Sequence, residues 1–288
     1  MPIKKHHFSR ASSPPAKSPS TLLGSVLASG LMFMAFVGCA QPSQPPKSLT
    51  VFAAASLTES FGEIGQQFEA ANPGVQITFN FAGSQQLRAQ LEQGARADVL
   101  ASANTKEMNA AISAALVVSG TQRDLVSNRL AVILPKSNPG KIISLADLAR
   151  PGLKLDVADP SVPVGQYTLD MLGKMSQAAT FGATFKDKVA ANVVSREDNV
   201  KSVVAKVRLG EADAGVVYTT DITPDAAREL TTLDVPDEFN VIATYPVAPL
   251  KNTAEPKLAS QFVDWVLSSK GQQVLARYGF IPAASARP

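Results

Sequence analysis

Four positions in the sequence share a pattern that suits the binding of an anion. A short apolar segment is followed by a tight turn with a small or hydroxyl residue and then by a helical pattern, near Ser56, Ser84, Val164 and Val200. In α/β sheets, ligands bind at the carboxyl ends of strands, where helix N-termini converge. Each N-terminus offers unpaired N–H groups and about half a positive charge. The pattern predicts a cage of neutral donors, although each position taken singly is typical of an ordinary capped helix.

The elements that must position these residues alternate between strands and helices. Apolar segments predict strands at 49–55, 75–81, 98–102, 129–135, 153–158, 215–218 and 245–250. Helical spacing of apolar residues predicts helices after Ser56 and Ser84, at 144–148, from 165 to 171, around 200–207, at 259–267 and at 271–278. This alternation favours parallel sheets covered on both faces, so the fold class is α/β.

Two of the helix starts carry the capping-box pattern, in which a hydroxyl residue is followed three positions later by an acidic one. Ser56 and Glu59 form one such pair, and Ser195 and Asp198 form the other. We expect these side chains to bond the first N–H groups of their helices.

The body of the chain lacks the side chains on which many enzymes depend. His6 and His7 are the only histidines, and Cys39 is the only cysteine. This excludes histidine-based triads, cysteine nucleophiles, disulfides and Cys/His zinc sites from the body. Four of the 27 basic residues precede Cys39, which leaves 23 basic against 24 acidic residues, a net charge of −1. That balance gives no electrostatic reason to expect nucleic acid or an anionic membrane as partner, and a binding protein is favoured over an enzyme.

The first 38 residues are typical of a secretory signal peptide, because a basic start leads into a long apolar run that ends at Gly38-Cys39. The lone cysteine resembles that of a bacterial lipobox, where the cysteine is lipidated, although Phe36 stands where that motif usually has leucine. An uncleaved membrane anchor, and plain cleavage beside an incidental cysteine, are the alternatives. We expect a signal peptide at 1–38, a lipidated Cys39 with a proline-rich tether at 39–48, and export.

Five motifs, in order, resemble the substrate-binding proteins of bacterial molybdate ABC importers. They are Thr50-Val-Phe-Ala-Ala-Ala-Ser-Leu-Thr58, Phe81-Ala-Gly-Ser84 with Gly94-Ala-Arg-Ala-Asp98, Asp159-Pro-Ser-Val-Pro-Val-Gly-Gln-Tyr167, Glu197-Asp-Asn-Val200 and Gly215-Val-Val-Tyr218. Tyr245-Pro-Val and Arg277-Tyr-Gly-Phe280 extend the similarity over about residues 49–281. The resemblance implies a two-lobed periplasmic binding protein of type II, with each lobe a mixed, mostly parallel sheet flanked by helices. It also implies a receptor that delivers molybdate, and tungstate, to an ABC permease.

The resemblance further implies which residues hold the oxyanion. Carried over by motif, Ser56 and Ser84 supply hydroxyl and amide donors, Val164 and Val200 supply backbone N–H groups, and Tyr218 supplies its phenol. Many relatives have alanine at the position of Val164, which matters little where only the N–H is used. The family binds its anion without a cation, so no cofactor and no metal beyond the molybdenum of the ligand is expected. We expect a monomer that is attached to the membrane through its lipid alone.

Other ligands stay open at this point. Molybdate and sulfate present only acceptors, whereas phosphate keeps a proton near neutral pH and favours a site with a carboxylate acceptor. Asp198 and Glu197 are the nearest candidates for such a carboxylate, and the capping role is favoured for Asp198. Molybdate and sulfate differ in size alone, which the spacing of residues does not reveal. A receptor for sulfate or phosphate is therefore the alternative.

Two further function classes are weaker. Ser56 at a strand-to-helix turn loosely resembles the nucleophile of a serine hydrolase, but the G-x-S-x-G pattern and any histidine of the body are missing. An adhesive or structural lipoprotein on the same fold is the third possibility.

The lobes are expected to be discontinuous in sequence. We predict that residues 49–128 plus 249–288 form the first lobe and 129–248 the second. Two connecting strands, at 130–134 and 245–250, are predicted to act as the hinge about which the lobes close over the anion.

Overall fold

The computed structural model describes residues 47–282, so the predicted signal peptide, Cys39 and residues 283–288 lie outside the described part of the chain. The strands are β1 (Lys47–Ala54), β2 (Val75–Ala82), β3 (Val99–Ala101), β4 (Arg123–Asn128), β5 (Leu130–Pro135), β6 (Leu155–Ala158), β7 (Val193–Glu197), β8 (Ala214–Tyr218), β9 (Leu230–Asp234), β10 (Ala243–Pro249) and β11 (Ile281–Pro282). The helices are α1 (Thr58–Ala71), α2 (Ser84–Glu92), α3 (Thr105–Ser113), α4 (Pro163–Gln177), α5 (Phe185–Ala191), α6 (Val200–Arg208), α7 (Pro256–Leu267) and α8 (Ser269–Arg277).

The first lobe is built on a six-stranded sheet in the order β11-β4-β10-β3-β1-β2. Alternate residues of β1 point to opposite faces, as the two-residue period of a strand requires. Val51 and its neighbours on one face pack with Phe61 and Phe68 of α1 and Phe262 of α7. Phe52 on the other face packs with Leu87 of α2 and Met108 of α3. Helices therefore cover both faces of the sheet.

The second lobe is built on a five-stranded sheet in the order β7-β6-β8-β5-β9. Val203 and Val207 of α6 are buried against one face, and Met171 and Met175 of α4 are fully buried on the other side of the lobe. The carboxyl ends of β6 and β8, like those of β1 and β2 in the first lobe, lead directly into the turns that form the cleft between the lobes.

Both sheets are mixed, as predicted, but parallel pairs do not dominate either of them. In the first sheet β1 pairs in parallel with β2 and β3, whereas β10 runs antiparallel to β3 and β4 and β11 runs antiparallel to β4. In the second, β6 is parallel to β7 and β8, and β5 is antiparallel to β8 and β9. Four of the five antiparallel pairs involve β5 or β10, the strands that follow the two crossings between the lobes.

The crossings correct the predicted lobe boundary. The first crossing falls at Arg129, between β4 of the first sheet and β5 of the second, close to the prediction. The second falls in 235–242, because β10 already pairs with β3 and β4 from Ala243 onward. The chain thus returns to the first sheet six residues before the predicted position 249. The predicted hinge strands each lie wholly inside one sheet, and the connections beside them cross the cleft.

The part of the chain that the structure describes contains no helix with both the length and the apolar character needed to cross a bilayer.

Candidate functional site

All five residues predicted to contact the anion line one cavity between the lobes. Ser56, Ser84, Val164, Val200 and Tyr218 surround it together with backbone and small side chains of the same turns. Each of the five is 4% exposed or less. The space they enclose, with its mouth, measures about 220 Å³. Residues separated by as much as 162 positions in the sequence are therefore brought to one point.

Helix starts point at this cavity from both lobes. Helix α2 begins at Ser84, α4 begins at Pro163 with Val164 next, and α6 begins at Val200. The first N–H groups of an α-helix have no partner within the helix, so they are free to donate into the cavity. A proline at the first position of α4 sacrifices no bond, because that N–H would be unpaired in any case.

The hydroxyl oxygen of Ser84 already accepts one hydrogen bond from the backbone. The backbone N–H of Ala103 donates to Ser84 Oγ at 2.9 Å. The remaining hydroxyl proton is therefore available to an acceptor within the cavity.

Ser56 has a different environment from the one its capping-box pattern predicts. It lies in a short 3₁₀ turn (Ala55–Leu57), and α1 starts after it at Thr58 without any side-chain cap. Ser56 Oγ instead lies 2.8 Å from the hydroxyl of Tyr245. The capping role predicted for Ser56 is wrong, because the 3₁₀ turn shifts the start of the helix and turns the hydroxyl toward the cleft.

The second predicted capping box is wrong for a similar reason. Helix α6 is capped by Asn199, whose Oδ1 accepts from the backbone N–H of Ser202 at 3.0 Å. Ser195 belongs to β7 and hydrogen bonds with Glu197 and Lys206. The asparagine one residue before the helix accepts from the N–H of Ser202, whereas the sequence pattern placed the cap four residues earlier, at Ser195.

Tyr218 presents the one hydroxyl of the cavity lining that has no hydrogen-bond partner among the described residues. Its phenol is 1% exposed, and its oxygen is fully buried and unpartnered. Burial raises the pKa of Tyr218 well above its ordinary value, and the neighbouring Tyr245 and Tyr167 phenols raise it further by smaller amounts. The phenol therefore keeps its proton at neutral pH and is available as a donor.

Carboxylates lie near the cavity, but none of the described residues places one in its lining. Asp198 is exposed and accepts from Gln86 Nε2 at 2.9 Å, on the outer side of the cleft. Glu197 pairs with Lys206 at 2.7 Å, and this contact with the hydrogen bond from Ser195 lowers the pKa of Glu197 despite partial burial. Neither side chain offers an acceptor to a bound anion.

Charged and amide side chains join the two lobes in a rim around the cavity, which we define as Glu59, Gln85, Gln86, Asp198 and Lys201. Lys201 Nζ lies 2.9 Å from both carboxylate oxygens of Glu59 in the first lobe. Gln85 Nε2 donates to the backbone oxygen of Asp198 at 2.9 Å. The lobes are thus in direct contact around the cavity.

Two features behind the rim fix its geometry. Lys201 also pairs with the buried Asp221 at 3.2 Å, and Asp221 in turn accepts from the N–H of Tyr218. Burial raises the pKa of Asp221 even though Lys201 opposes that shift. Gly83, which precedes α2, lies so close to the backbone oxygen of Asp198 that a Cβ would not fit there.

Sequence analysis did not identify Lys201, Tyr245 or Asn128 as parts of this region. Lys201 directly follows Val200, and Tyr245 opens one of the motifs that extend the family resemblance. Those positions are the signals that could have found them. Their partners Glu59 and Ser56 are 142 and 189 residues away in sequence, so no local spacing reveals the contacts.

Comparison with known proteins shows the family of this chain. The family model described as bacterial extracellular solute-binding protein matches residues 49–281. The chain belongs to this family. The match covers nearly all of the described residues, 47–282.

Individual relatives are named for molybdate. The molybdate-binding protein ModA of Mycobacterium tuberculosis is 40% identical over 267 residues, which span 90% of this chain and 97% of that protein. ModA of Haemophilus influenzae is 32% identical over 238 residues, 81% of this chain and 89% of its own. The resemblance inferred from the five sequence motifs is confirmed.

Solved structures confirm the two-lobed fold of this solute-binding protein. The periplasmic molybdate-binding protein of Azotobacter vinelandii superposes with a TM-score of 0.71 at 21% identity and covers 82% of this chain and 99% of its own. The sulfate-binding protein SubI of Mycobacterium tuberculosis superposes with a TM-score of 0.73 at 18% identity, over 83% and 88% of the two chains. At these identities the two structures establish the fold and not the ligand.

Proposed function

We propose that this solute-binding protein is an extracytoplasmic receptor for molybdate, and also for tungstate, that delivers the anion to an ABC permease. The observation that carries the proposal is the cavity lined by three hydroxyls and three helix starts with no carboxylate among its described lining residues. Relatives named molybdate-binding proteins, alignable over nearly their whole length, support the choice of anion.

The cavity suits a dianion on electrostatic grounds. Each helix N-terminus carries about half a positive charge, so the starts of α2, α4 and α6 together offset much of a double negative charge. Neutral donors then satisfy the oxygens one by one. An anion enclosed in this way leaves water without leaving its oxygens unbonded, which is the condition for burying charge.

Binding couples the two lobes. Ser56 and Ser84 belong to the first lobe, while Val164, Val200 and Tyr218 belong to the second. An anion held by both groups favours the conformation in which the lobes touch, and that closed form is the one presented to the permease.

Selectivity against phosphate follows from the donor-only lining. Near neutral pH phosphate carries a proton, and with no carboxylate among the described lining residues only a hydroxyl that gives up its own donation to the anion can accept it. An unpaired buried donor costs about 1–3 kcal/mol. We expect tight binding of molybdate and tungstate, much weaker binding of sulfate and no detectable binding of phosphate.

Sulfate is the alternative ligand, because it is also a dianion that presents only acceptors to the neutral donors of the lining. A serine hydrolase is disfavoured, since the neighbour of the Ser56 hydroxyl is a tyrosine and not a general base. We propose a binding role without catalysis.

Titration calorimetry of the mature protein with molybdate, tungstate, sulfate and phosphate tests the proposal. Molybdate binding at least a hundredfold tighter than sulfate is the expected result. Sulfate binding as tightly as molybdate would favour the alternative, and phosphate binding as tightly as molybdate would reject the donor-only cavity.

Anchoring is a separate proposal that rests on the sequence alone. We propose that Cys39 is lipidated after removal of residues 1–38 and that it attaches the protein to the outer face of the cytoplasmic membrane. Cys39→Ser should release the protein from the membrane fraction or block its processing. Mass spectrometry of the native N-terminus that shows cleavage at another residue would reject this proposal.

A further inference from the structure

Tyr245 lies between the cavity and the first crossing of the chain, and it contributes no surface to the cavity itself. Its side chain is fully buried, and its ring packs edge-to-face against Tyr218 with ring centroids 5.8 Å apart. Its hydroxyl lies 2.8 Å from Ser56 Oγ and 3.4 Å from Asn128 Nδ2, and the Tyr218 phenol is a further polar neighbour. The phenol thus links a cavity hydroxyl to an amide outside the cavity.

The orientation of the Asn128 amide is fixed by an unambiguous donor. The backbone N–H of Arg129 donates to Asn128 Oδ1 at 2.9 Å, and Thr219 donates its hydroxyl to the same oxygen at 3.2 Å. The amide nitrogen must therefore face the other way, where it donates to Thr220 Oγ1 at 2.8 Å and toward the Tyr245 oxygen.

The direction of the remaining hydrogen bonds follows from this orientation. Because Asn128 Nδ2 is a donor only, the Tyr245 oxygen accepts from it, and the Tyr245 proton needs another acceptor. Ser56 Oγ, at 2.8 Å, is that acceptor, because the neighbouring Tyr218 phenol stands as a donor toward Tyr245. Ser56 then accepts from Tyr245, and its own proton is left to donate into the cavity.

We propose that Asn128 and Tyr245 are positioning residues that hold the Ser56 hydroxyl as a hydrogen-bond donor toward the anion and so help exclude protonated oxyanions. The inference rests on the proposed oxyanion function and deepens it by naming what sets the polarity of the site. Neither residue touches the anion in this scheme. They act through Ser56, in the way that the Ala103 N–H acts through Ser84.

The ratio of phosphate to sulfate in competition with molybdate is a measurement that a merely structural role of these residues would leave unchanged. Sulfate has no proton at neutral pH, whereas phosphate has one. A loosened cavity changes the displacement of molybdate by both anions alike. A Ser56 hydroxyl that can rotate and accept a hydrogen bond from the phosphate proton strengthens the binding of phosphate relative to that of sulfate.

Tyr245→Phe removes the phenol oxygen and keeps the buried ring. We expect molybdate affinity to fall about two- to fivefold, and phosphate, which should not displace molybdate from the parent, to become a measurable competitor that gains at least about tenfold relative to sulfate. Tyr278→Phe, which deletes a tyrosine hydroxyl outside the cavity lining, is the matched control and should change neither quantity.

Asn128→Asp reverses the chain of hydrogen bonds. The carboxylate accepts from the N–H of Arg129 and the hydroxyls of Thr219, Thr220 and Tyr245, so the Tyr245 oxygen then accepts from Ser56. Ser56 would present a lone pair to the anion, and molybdate affinity should fall at least tenfold while phosphate gains on sulfate. If this variant does not fold, Tyr245→Phe alone decides the question.

An unchanged phosphate-to-sulfate ratio in Tyr245→Phe, with the parent binding molybdate, would overturn the assignment and leave the proposed function intact. An equal loss of all anions would overturn it in the same way. A parent protein that binds no molybdate would reject the proposed function, and the assignment with it.

Discussion

The cavity and the rim around it are polar in different ways. The cavity offers neutral donors, namely the hydroxyls of Ser56, Ser84 and Tyr218 and the free N–H groups of helix starts. The rim, only a few residues away, holds full charges such as the Lys201–Glu59 pair. Lys201 directly follows Val200 in the chain, yet its ammonium group faces a carboxylate and not the cavity lining.

This difference shows how an anion can be held strongly and still exchanged. A buried cation opposite a dianion would add a large Coulomb attraction in a medium of low dielectric, and release would become slow. Neutral donors give geometry and selection, whereas charges in the rim act between the lobes. The cavity therefore serves recognition of the anion, and the rim serves contact between the lobes.

A charge placed inside the cavity should have the largest effect. Ser84→Asp sets a carboxylate against the dianion, and at an effective dielectric constant of 20 this repulsion is about 4 kcal/mol at 4 Å for each unit of charge. Molybdate affinity should fall at least a thousandfold, measured by calorimetry. Ser84→Asn, of similar size without the charge, is the control. Affinities of the two variants within tenfold of each other would contradict the donor-only account.

Removing the cation of the rim should affect folding more than recognition. Lys201→Met leaves Asp221, which is 1% exposed, as a buried carboxylate without its counter-ion. We expect the free energy of unfolding to fall by about 3 kcal/mol at neutral pH, with a smaller loss under acid conditions in which Asp221 is protonated. Urea denaturation measures this, with the exposed Lys188→Met as control. Equal stability of the two variants would show that the pair does not hold Asp221.

The next largest effect is expected from the removal of a single hydrogen-bond donor of the cavity. Ser84→Ala and Tyr218→Phe each remove one hydroxyl and keep the backbone, so each should weaken molybdate binding about ten- to a hundredfold. Val200→Ala keeps its N–H and should lose less. If both hydroxyl deletions bind like the parent while Val200→Ala does not, the cavity does not bind the anion as proposed.

Asp156, in β6 and outside the cavity lining, is a third case, namely a buried carboxyl group that belongs neither to the cavity nor to the rim. Both of its oxygens are buried without a hydrogen-bond partner, and burial, with the nearby Glu197, raises its pKa to about 7, although Lys206 acts in the opposite direction. The folded state therefore binds this proton more tightly than the unfolded chain, whose carboxyl titrates near pH 4. Stability from the protonated group is present below about pH 4 and is lost as the pH rises through about 7.

Asp156→Asn should remove this pH dependence. We expect the variant to be about 2 kcal/mol more stable than the parent at pH 8 and to show little difference at pH 4, measured by thermal or urea denaturation. Asp187→Asn, at an exposed position, controls for the loss of one negative charge. A constant difference across the pH range would contradict the shifted pKa.

The smallest expected effect is that of the carboxylate of the rim. Glu59→Gln keeps the shape of the side chain and removes one charge from a half-exposed pair, which contributes at most about 1 kcal/mol. Molybdate affinity should fall no more than about fivefold, mainly through faster dissociation, and the difference should shrink in high salt. Stopped-flow measurements at two salt concentrations test this, and a loss that is independent of salt would point to a role other than ion pairing.

Much of this architecture follows from local patterns in the sequence. The helix starts at Ser84 and Val200 were predicted because apolar strands, small turn residues and helical spacing occur in order along the chain, and such local signals survive folding. The helices α3 and α5 and the strands β4, β7, β9 and β11 were not predicted. They are short, and they owe their stability to packing against neighbours that are distant in sequence.

The capping boxes and the lobe boundary failed for related physical reasons. Serine and asparagine are both favoured N-caps, so the pattern at Ser195 did not reveal that Asn199, four residues later, was the cap. Membership of β10 in the first sheet depends on pairing with β3 and β4, which no local spacing shows. The family resemblance supplied the site residues, whereas the groups that orient them became visible through contacts between residues more than a hundred positions apart.

The close approach of Gly83 to the backbone of Asp198 has a consequence for the size of anion that the protein accepts. Because the main chain of Gly83 lies directly against the backbone oxygen of Asp198 and the side-chain amide of Gln85, this contact limits how closely α2 can approach α6 and acts as a spacer. A small tetrahedral anion would fail to span the gap between α2 and α6, while an oversized one would separate Gln85 from the Asp198 oxygen. Discrimination between oxyanions of equal charge can thus depend on a contact outside the cavity, the one between the backbones of Gly83 and Asp198, which limits how closely the lobes approach.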